Sequence, residues 1–169
     1  MSAPDRGTAS AVPPHAALRT WLGLLACSSL VEREVRRRLR EEFGTTLPRF
    51  DVLAQLDAAQ RSDTHSAGLT MSELSRRLMV TNGNLTGLVE RLVREGVVSR
   101  ASSAIDRRTQ IVRLTHAGKR ALDAMAPAHE QWIEKLFGNL SSHDRAQLHA
   151  LLGRLRTSIR QSLTEVDPS

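Results

Sequence analysis

The segment Thr81-Asn82-Gly83-Asn84-Leu85-Thr86-Gly87-Leu88-Val89-Glu90-Arg91-Leu92-Val93-Arg94 mixes short polar residues with apolar ones at helical spacing. Leu85, Leu88, Val89, Leu92 and Val93 share one face. The outward side presents Asn82, Gly83, Asn84, Thr86 and Gly87 near the start, then Glu90, Arg91 and Arg94. These groups suit a DNA major groove. Asn can pair bidentately with adenine, and Thr can offer a methyl to thymine or a hydroxyl to phosphate. A helix start adds free amides and a positive dipole end, which favour phosphate. Downstream, Asp106-Arg107-Arg108 lies in a short polar stretch. Arginines there suit a narrow minor groove, and Asp106 can hold one of them extended through a charge-assisted pair. Taken alone, the first segment could be a helix capped by Thr81 and the second an exposed loop ion pair worth little. Capping does not account for two Asn and two Gly on the outward side.

The flanking sequence supplies the elements that would position these residues. Thr70-Met71-Ser72-Glu73 forms a capping box opening a short helix with Leu74 and Leu78 inward. Thr81 is placed to cap the next helix, and Gly96 lies just past its end. Two short helices across a tight turn make a helix-turn-helix. Val97–Ala101 and Thr109–Leu114 read as strands, so a hairpin wing follows.

Upstream, Leu24, Cys27, Val31, Val35, Leu39 and Phe43 form a helical stripe between His15 and about Phe43. A helix of roughly 28 residues is about 40 Å long, more than a small core spans. Part of its apolar face is expected to meet another chain. Gly44 suits its C-terminal cap, and Pro48 starts a helix to about Gln60 with Phe50, Leu53, Ala54 and Leu56 inward. Thr115 caps a long helix carrying Leu122, Met125, His129, Trp132, Ile133 and Leu136, which Pro127 should kink or break. After Ser141 a last helix shows Leu148, Leu151, Leu152, Leu155, Ile159 and Leu163.

The expected fold is mainly α with a small β-hairpin wing: a winged helix-turn-helix between long N- and C-terminal dimerisation helices. Residues 1–14, small, polar and Pro-containing, are expected to form a disordered arm. Residues 15–47 form the N-terminal dimerisation helix, 48–115 the reader and 116–165 the C-terminal dimerisation helices.

Composition narrows the function. The net charge is +6, and residues 91–120 hold all of it, with eight cations against Glu95 and Asp106. A basic stripe confined to one segment is the footprint of a polyanion-binding face. Cys27 is the single cysteine, so neither an intramolecular disulfide nor a cysteine zinc cluster can form. The N-terminus lacks a secretory pattern, and the longest apolar run, Trp21 to Leu30, is too short to span a membrane, so a cytoplasmic setting is expected. His129-Glu130 begins a zinc-protease motif, but Ile133 stands where the second histidine belongs. There is no P-loop, no Rossmann glycine pattern and no nucleophile elbow. Neither an enzyme nor a cofactor is expected.

Residues 48–118 resemble the MarR family of winged helix-turn-helix regulators. The carriers are Leu74-Ser75-Arg76-Arg77-Leu78, Asn84-Leu85-Thr86-Gly87-Leu88-Val89-Glu90-Arg91-Leu92, Gly96-Val97-Val98, and Asp106-Arg107-Arg108-Thr109 with Val112-Arg113-Leu114-Thr115. The resemblance implies a homodimer on a pseudopalindromic operator in double-stranded DNA, usually a repressor released by a small aromatic acid. It makes Arg108 the wing arginine of a D-x-R signature. The expected DNA contacts are Thr81, Asn82, Asn84, Thr86, Arg91, Asp106, Arg107 and Arg108. Thr46-Leu47-Pro48-Arg49-Phe50-Asp51 and Leu78-Met79-Val80-Thr81-Asn82-Gly83-Asn84 are similar to regulators of aromatic-acid catabolism, some of which respond to a coenzyme A thioester. The family's ligand cleft lies between dimerisation helices and reader, where Arg19, Trp21 and Arg49 are candidates and Trp132 a more distant one. Arg would hold a carboxylate or phosphate and Trp would stack on a ring; the tryptophans could equally be dimer-core residues. Two alternatives remain: a thiol-oxidation sensor through Cys27, set against an inert buried thiol, and a winged helix serving as a protein-interaction module.

Overall fold

The structure, a computed structural model, describes residues 15–62, 68–102 and 108–165. The expected arm, residues 1–14, falls outside them. Six α-helices and three short strands follow one another as α1 (Ala16–Phe43), α2 (Leu47–Gln60), β1 (Leu69–Thr70), α3 (Met71–Leu78), α4 (Asn82–Arg94), β2 (Val98–Ser102), β3 (Gln110–Leu114), α5 (His116–Leu136) and α6 (Ser142–Glu165). The strands form an antiparallel sheet in the order β1-β3-β2, with Val98 opposite Leu114 and Leu69 opposite Val112. The architecture is the mainly helical, winged arrangement expected.

The core gathers apolar residues from each inner element. Val35 and Leu39 come from α1, Leu53 and Leu56 from α2, Leu74 from α3, and Leu85, Val89 and Leu92 from α4. Val98 and Val112 enter from the sheet, and Leu122, Met125 and Trp132 from α5. Only the C-terminal part of α1 joins this core. Its first half overhangs, leaving Leu18, Trp21, Leu22 and Leu25 exposed, and no described residue of α6 is buried. The overhang also corrects the expectation of a buried thiol: Cys27 is exposed, because no described residue of the chain buries the stripe before Val31.

Local grammar sets the helix ends. Thr70 N donates to Glu73 Oε2 at 2.8 Å, and Thr70 Oγ1 accepts from Glu73 N at 3.2 Å, completing the capping box. Thr115 and Ser141 cap α5 and α6 through Gly118 N and Asp144 N, both at 3.1 Å. Thr81 differs from expectation. It occupies the N-cap of α4 with extended backbone, but its side chain caps no amide. Pro127 does not break α5, which runs through it. Buried side chains on both sides, Leu122 and Met125 before and Trp132 after, pin the two halves to one core.

The wing root is tied to α5 and α2. Thr115 Oγ1 donates to the Gly96 carbonyl at 2.7 Å, and Leu114 N donates to Gln60 Oε1 at 2.6 Å. Gly118 lies flush against the chain at Val97, where an added Cβ would run into the Val97 carbonyl and meet Leu114 Cδ1 at 2.7 Å. Backbone cannot give way as a side chain can. Gly118→Ala is expected to destabilise the fold by about 2–3 kcal/mol, read as a lower urea midpoint at unchanged slope. Gly83→Ala, whose Cβ would meet nothing within 4 Å, is the matched control.

Candidate nucleic-acid interface

The burial of Leu85, Val89 and Leu92 fixes how α4 is turned. At 100° per residue the line opposite them runs through Gly83, Gly87, Glu90 and Arg94. Asn82, Thr86 and Val93 flank that line on one side, Asn84 and Arg91 on the other. The expected contact residues of α4 therefore divide between two flanks, and Gly83, Gly87 and Glu90 form the crest. Thr81, Asn82 and Asn84 are exposed at the helix start. Thr86 Oγ1 donates to the Asn82 carbonyl at 2.8 Å.

The wing stands beside this helix. Gln110 Nε2 donates to Ser102 Oγ at 3.0 Å, closing the described part of the hairpin. Arg108 is exposed at its edge. Asp106 and Arg107 lie outside the described residues. Arg100 and Arg113 are exposed on β2 and β3, one on each side of the sheet, since Arg100 pairs with Val112 and Arg113 with Ser99.

The Asn84 flank borders a cleft of about 880 Å³ between α1, the start of α2, α4 and α5. Arg36 and Arg40 of α1, Asp51 of α2, Asn84 and Arg91 of α4, and His129 of α5 line it. Sequence reasoning placed ligand candidates elsewhere, and the structure does not bring them together here. Arg19 and Trp21 are exposed on the overhanging part of α1, and Arg49 pairs with Glu95 at the end of α4. None of the three lines the cleft. Trp132 is buried beneath Phe43, at 6.1 Å between ring centroids, with Arg38 over its face at 5.7 Å, so its ring belongs to the core of one chain.

Arg40 and Arg91 make no ion pair among the described residues, whereas Arg36 is held by Glu32 at 2.8 Å. The signal for Arg40 was present in the sequence. Its neighbours three and four positions away are Arg36, Arg37, Phe43 and Gly44, with no acid among them. Arg91 has Glu95 at i+4, but Arg49 takes that carboxylate, which only the fold reveals.

A MarR family sequence model matches residues 43–109. The chain is 30% identical over 136 residues to the transcriptional activatory protein BadR of Rhodopseudomonas palustris, covering 79% of this chain and 75% of that one. It is 33% identical over 93 residues to the HTH-type transcriptional repressor YetL of Bacillus subtilis, covering 55% of this chain and 56% of YetL. Among solved structures, the MarR family regulator Sco3205 of Streptomyces coelicolor, crystallised in complex with DNA, superposes with a TM-score of 0.72 at 24% identity, covering 94% of this chain and 92% of that one.

The cleft has a pH signature of its own. Burial, and then Glu32, push the Asp51 carboxyl from 3.8 up to about 6, against the pull of Arg36. The folded chain therefore keeps a proton that the unfolded chain has released. This group's contribution to stability falls as pH rises from about 4 to about 6, then levels. Burial holds the His129 imidazole below its usual value, which acts with the opposite sign. Asp51→Asn removes only the first effect. Its unfolding free energy should gain on the native chain between pH 4 and 6 and run parallel above that, measured by urea titration. A difference independent of pH would mean that Asp51 ionises alike in both states.

Proposed function

The chain belongs to the MarR family, and from that premise we propose that it is a homodimeric, DNA-binding transcriptional regulator whose grip on a pseudopalindromic operator is relieved by a small anionic aromatic effector. The observation that carries the reading is the exposed flank-and-crest arrangement of α4 beside a basic wing. Asn82, Asn84 and Thr86 are cast as base readers in the major groove, with Arg91, Arg94 and Arg108 facing phosphate. Thr81 leaves the first amides of α4 without a side-chain cap, which suits a backbone phosphate there. Two-fold symmetry would set the half-sites roughly 10 bp apart.

Dimerisation is supported by the exposed apolar residues of α6, from Leu148 to Leu163, and by those on the overhanging half of α1. So much contiguous apolar surface calls for a partner. No helix among the described residues is long and apolar enough to cross a membrane, which leaves a second chain as the natural cover. BadR is named an activator and YetL a repressor. We take repression as the simpler action, because occupancy of a promoter is enough to exclude polymerase.

For the effector, the cleft offers two guanidinium groups without acidic partners among the described residues, Arg40 and Arg91, beside the His129 ring and apolar Leu88 and Ile133. That set suits an aromatic acid or its coenzyme A thioester. A ligand there would touch α1 and α4 together. Arg40→Ala is expected to weaken effector-driven release about tenfold while leaving DNA affinity intact. Release measured with benzoate, hydroxycinnamates and their thioesters checks this, and unchanged release with every one of them would move the site elsewhere.

The DNA reading is tested by salt titration on operator variants. Asn84→Ala should cost about 1–3 kcal/mol at particular base pairs and relax specificity there. Arg108→Ala should weaken binding to most sequences and reduce the salt slope by up to about one unit. Unchanged affinity and slope in Arg108→Ala would take the wing off the DNA.

A further inference from the structure

Thr86 carries two groups that a DNA base could meet, a hydroxyl and a γ-methyl. The hydroxyl is engaged within the helix, where Thr86 Oγ1 donates to the Asn82 carbonyl at 2.8 Å. Its donor is spent on the backbone, which leaves the γ-methyl as the group of this half-buried side chain with no hydrogen bond to satisfy. The surface beside Thr86 is low. Gly83, three residues before, and Gly87, one after, bear no side chains, and a Cβ built on either would meet nothing within 4 Å. Neither glycine has a positive φ, so neither backbone conformation requires glycine. Val93, one of the exposed large hydrophobics of the chain, continues the flank on which Thr86 lies.

We propose that Thr86 is a specificity-determining residue that reads a thymine through its γ-methyl, packing it against the C5-methyl at the major-groove edge. The inference rests on the DNA-binding reading above and adds the base and the group that reads it. In the major groove thymine differs from the other bases by that methyl. A methyl-to-methyl contact requires no hydrogen bond, so it is compatible with a hydroxyl already committed to Asn82.

The test uses the full-length protein and a duplex that it selects from a randomised pool. Each thymine of the half-site is replaced in turn by 2′-deoxyuridine, which removes the C5-methyl and nothing else. At one thymine position the native chain should lose affinity about fourfold, the size of one buried methyl. Thr86→Val keeps a methyl and lacks the hydroxyl, so it should bind the thymine duplex as the native chain does and lose affinity equally with deoxyuridine. Thr86→Ser keeps the hydroxyl and lacks the methyl. It should bind the thymine duplex about fourfold more weakly and be indifferent to deoxyuridine at that position. The inference is overturned if Thr86→Val loses as much as Thr86→Ser, which would assign the reading to the hydroxyl. It is equally overturned if Thr86→Ser responds to deoxyuridine as the native chain does. A pool from which the native protein selects nothing overturns the DNA-binding reading itself, and this inference with it.

Discussion

A single hydroxyl ties the end of α4 to the start of α5. Thr115 Oγ1 donates to the carbonyl of Gly96, just past the end of α4, and accepts from Gly118 N in the first turn of α5. Thr115 N reaches the Val97 carbonyl at 3.2 Å, and Gly118 permits the close approach that makes these contacts possible. Around this joint, Gln60 satisfies the Leu114 amide, and buried Asp57 draws in Arg61 at 2.8 Å and Lys119 at 3.4 Å. Each bond alone contributes about 1 kcal/mol. Together they tie the end of α4 to the start of α5, so in the proposed dimer the placement of the two α4 helices would follow from where α5 goes.

The sequence made legible what is written in short-range grammar. The capping box at Thr70, the left-handed glycines Gly44 and Gly96, and the helical stripes are local signals, and each reappears in the fold. Strand β1 was missed because two residues cannot show an alternating pattern, and Thr70 serves both as its end and as the cap of α3. The break expected at Pro127 failed for the opposite reason. Removing one helix hydrogen bond is a local penalty, and long-range burial of Leu122, Met125 and Trp132 outweighs it. The inward face of α4 was readable from spacing except at Val93, which spacing placed inward and the structure leaves exposed at the edge of the stripe; which flank the polar residues occupy depends on the burial of Leu85, Val89 and Leu92 together.

Counting charge along the chain gave the basic segment but not the reactive cations. Helix α1 carries five arginines between residues 33 and 40, and those at 36, 37 and 38 are held by glutamates a turn away. Such exposed pairs add little stability, yet they decide which guanidiniums remain available. Arg40 has no acid three or four positions away. Arg91 loses its acid through a contact between α2 and the end of α4. Arg49, first read as a ligand residue, thus bears on the cleft indirectly, by occupying Glu95.

Helix α1 belongs to two structures at once. Its C-terminal part is core, with Val35 and Leu39 almost without exposure, while its first half presents Leu18, Trp21, Leu22 and Leu25 outward. A partner covering that overhang would fix the same rigid helix that carries Arg36 and Arg40 into the cleft, and Asn84 and Arg91 enter it from α4. Anything bound there would bridge α1 and the flank of α4, so under the proposed function it could act on the reader without a long relay. Asn84 and Arg91 are also among the groups proposed to meet DNA, so cleft occupant and operator would draw on the same side chains. If occupancy weakens DNA binding by some factor, DNA must weaken occupancy by that factor, and shared side chains are the most direct physical route to that coupling.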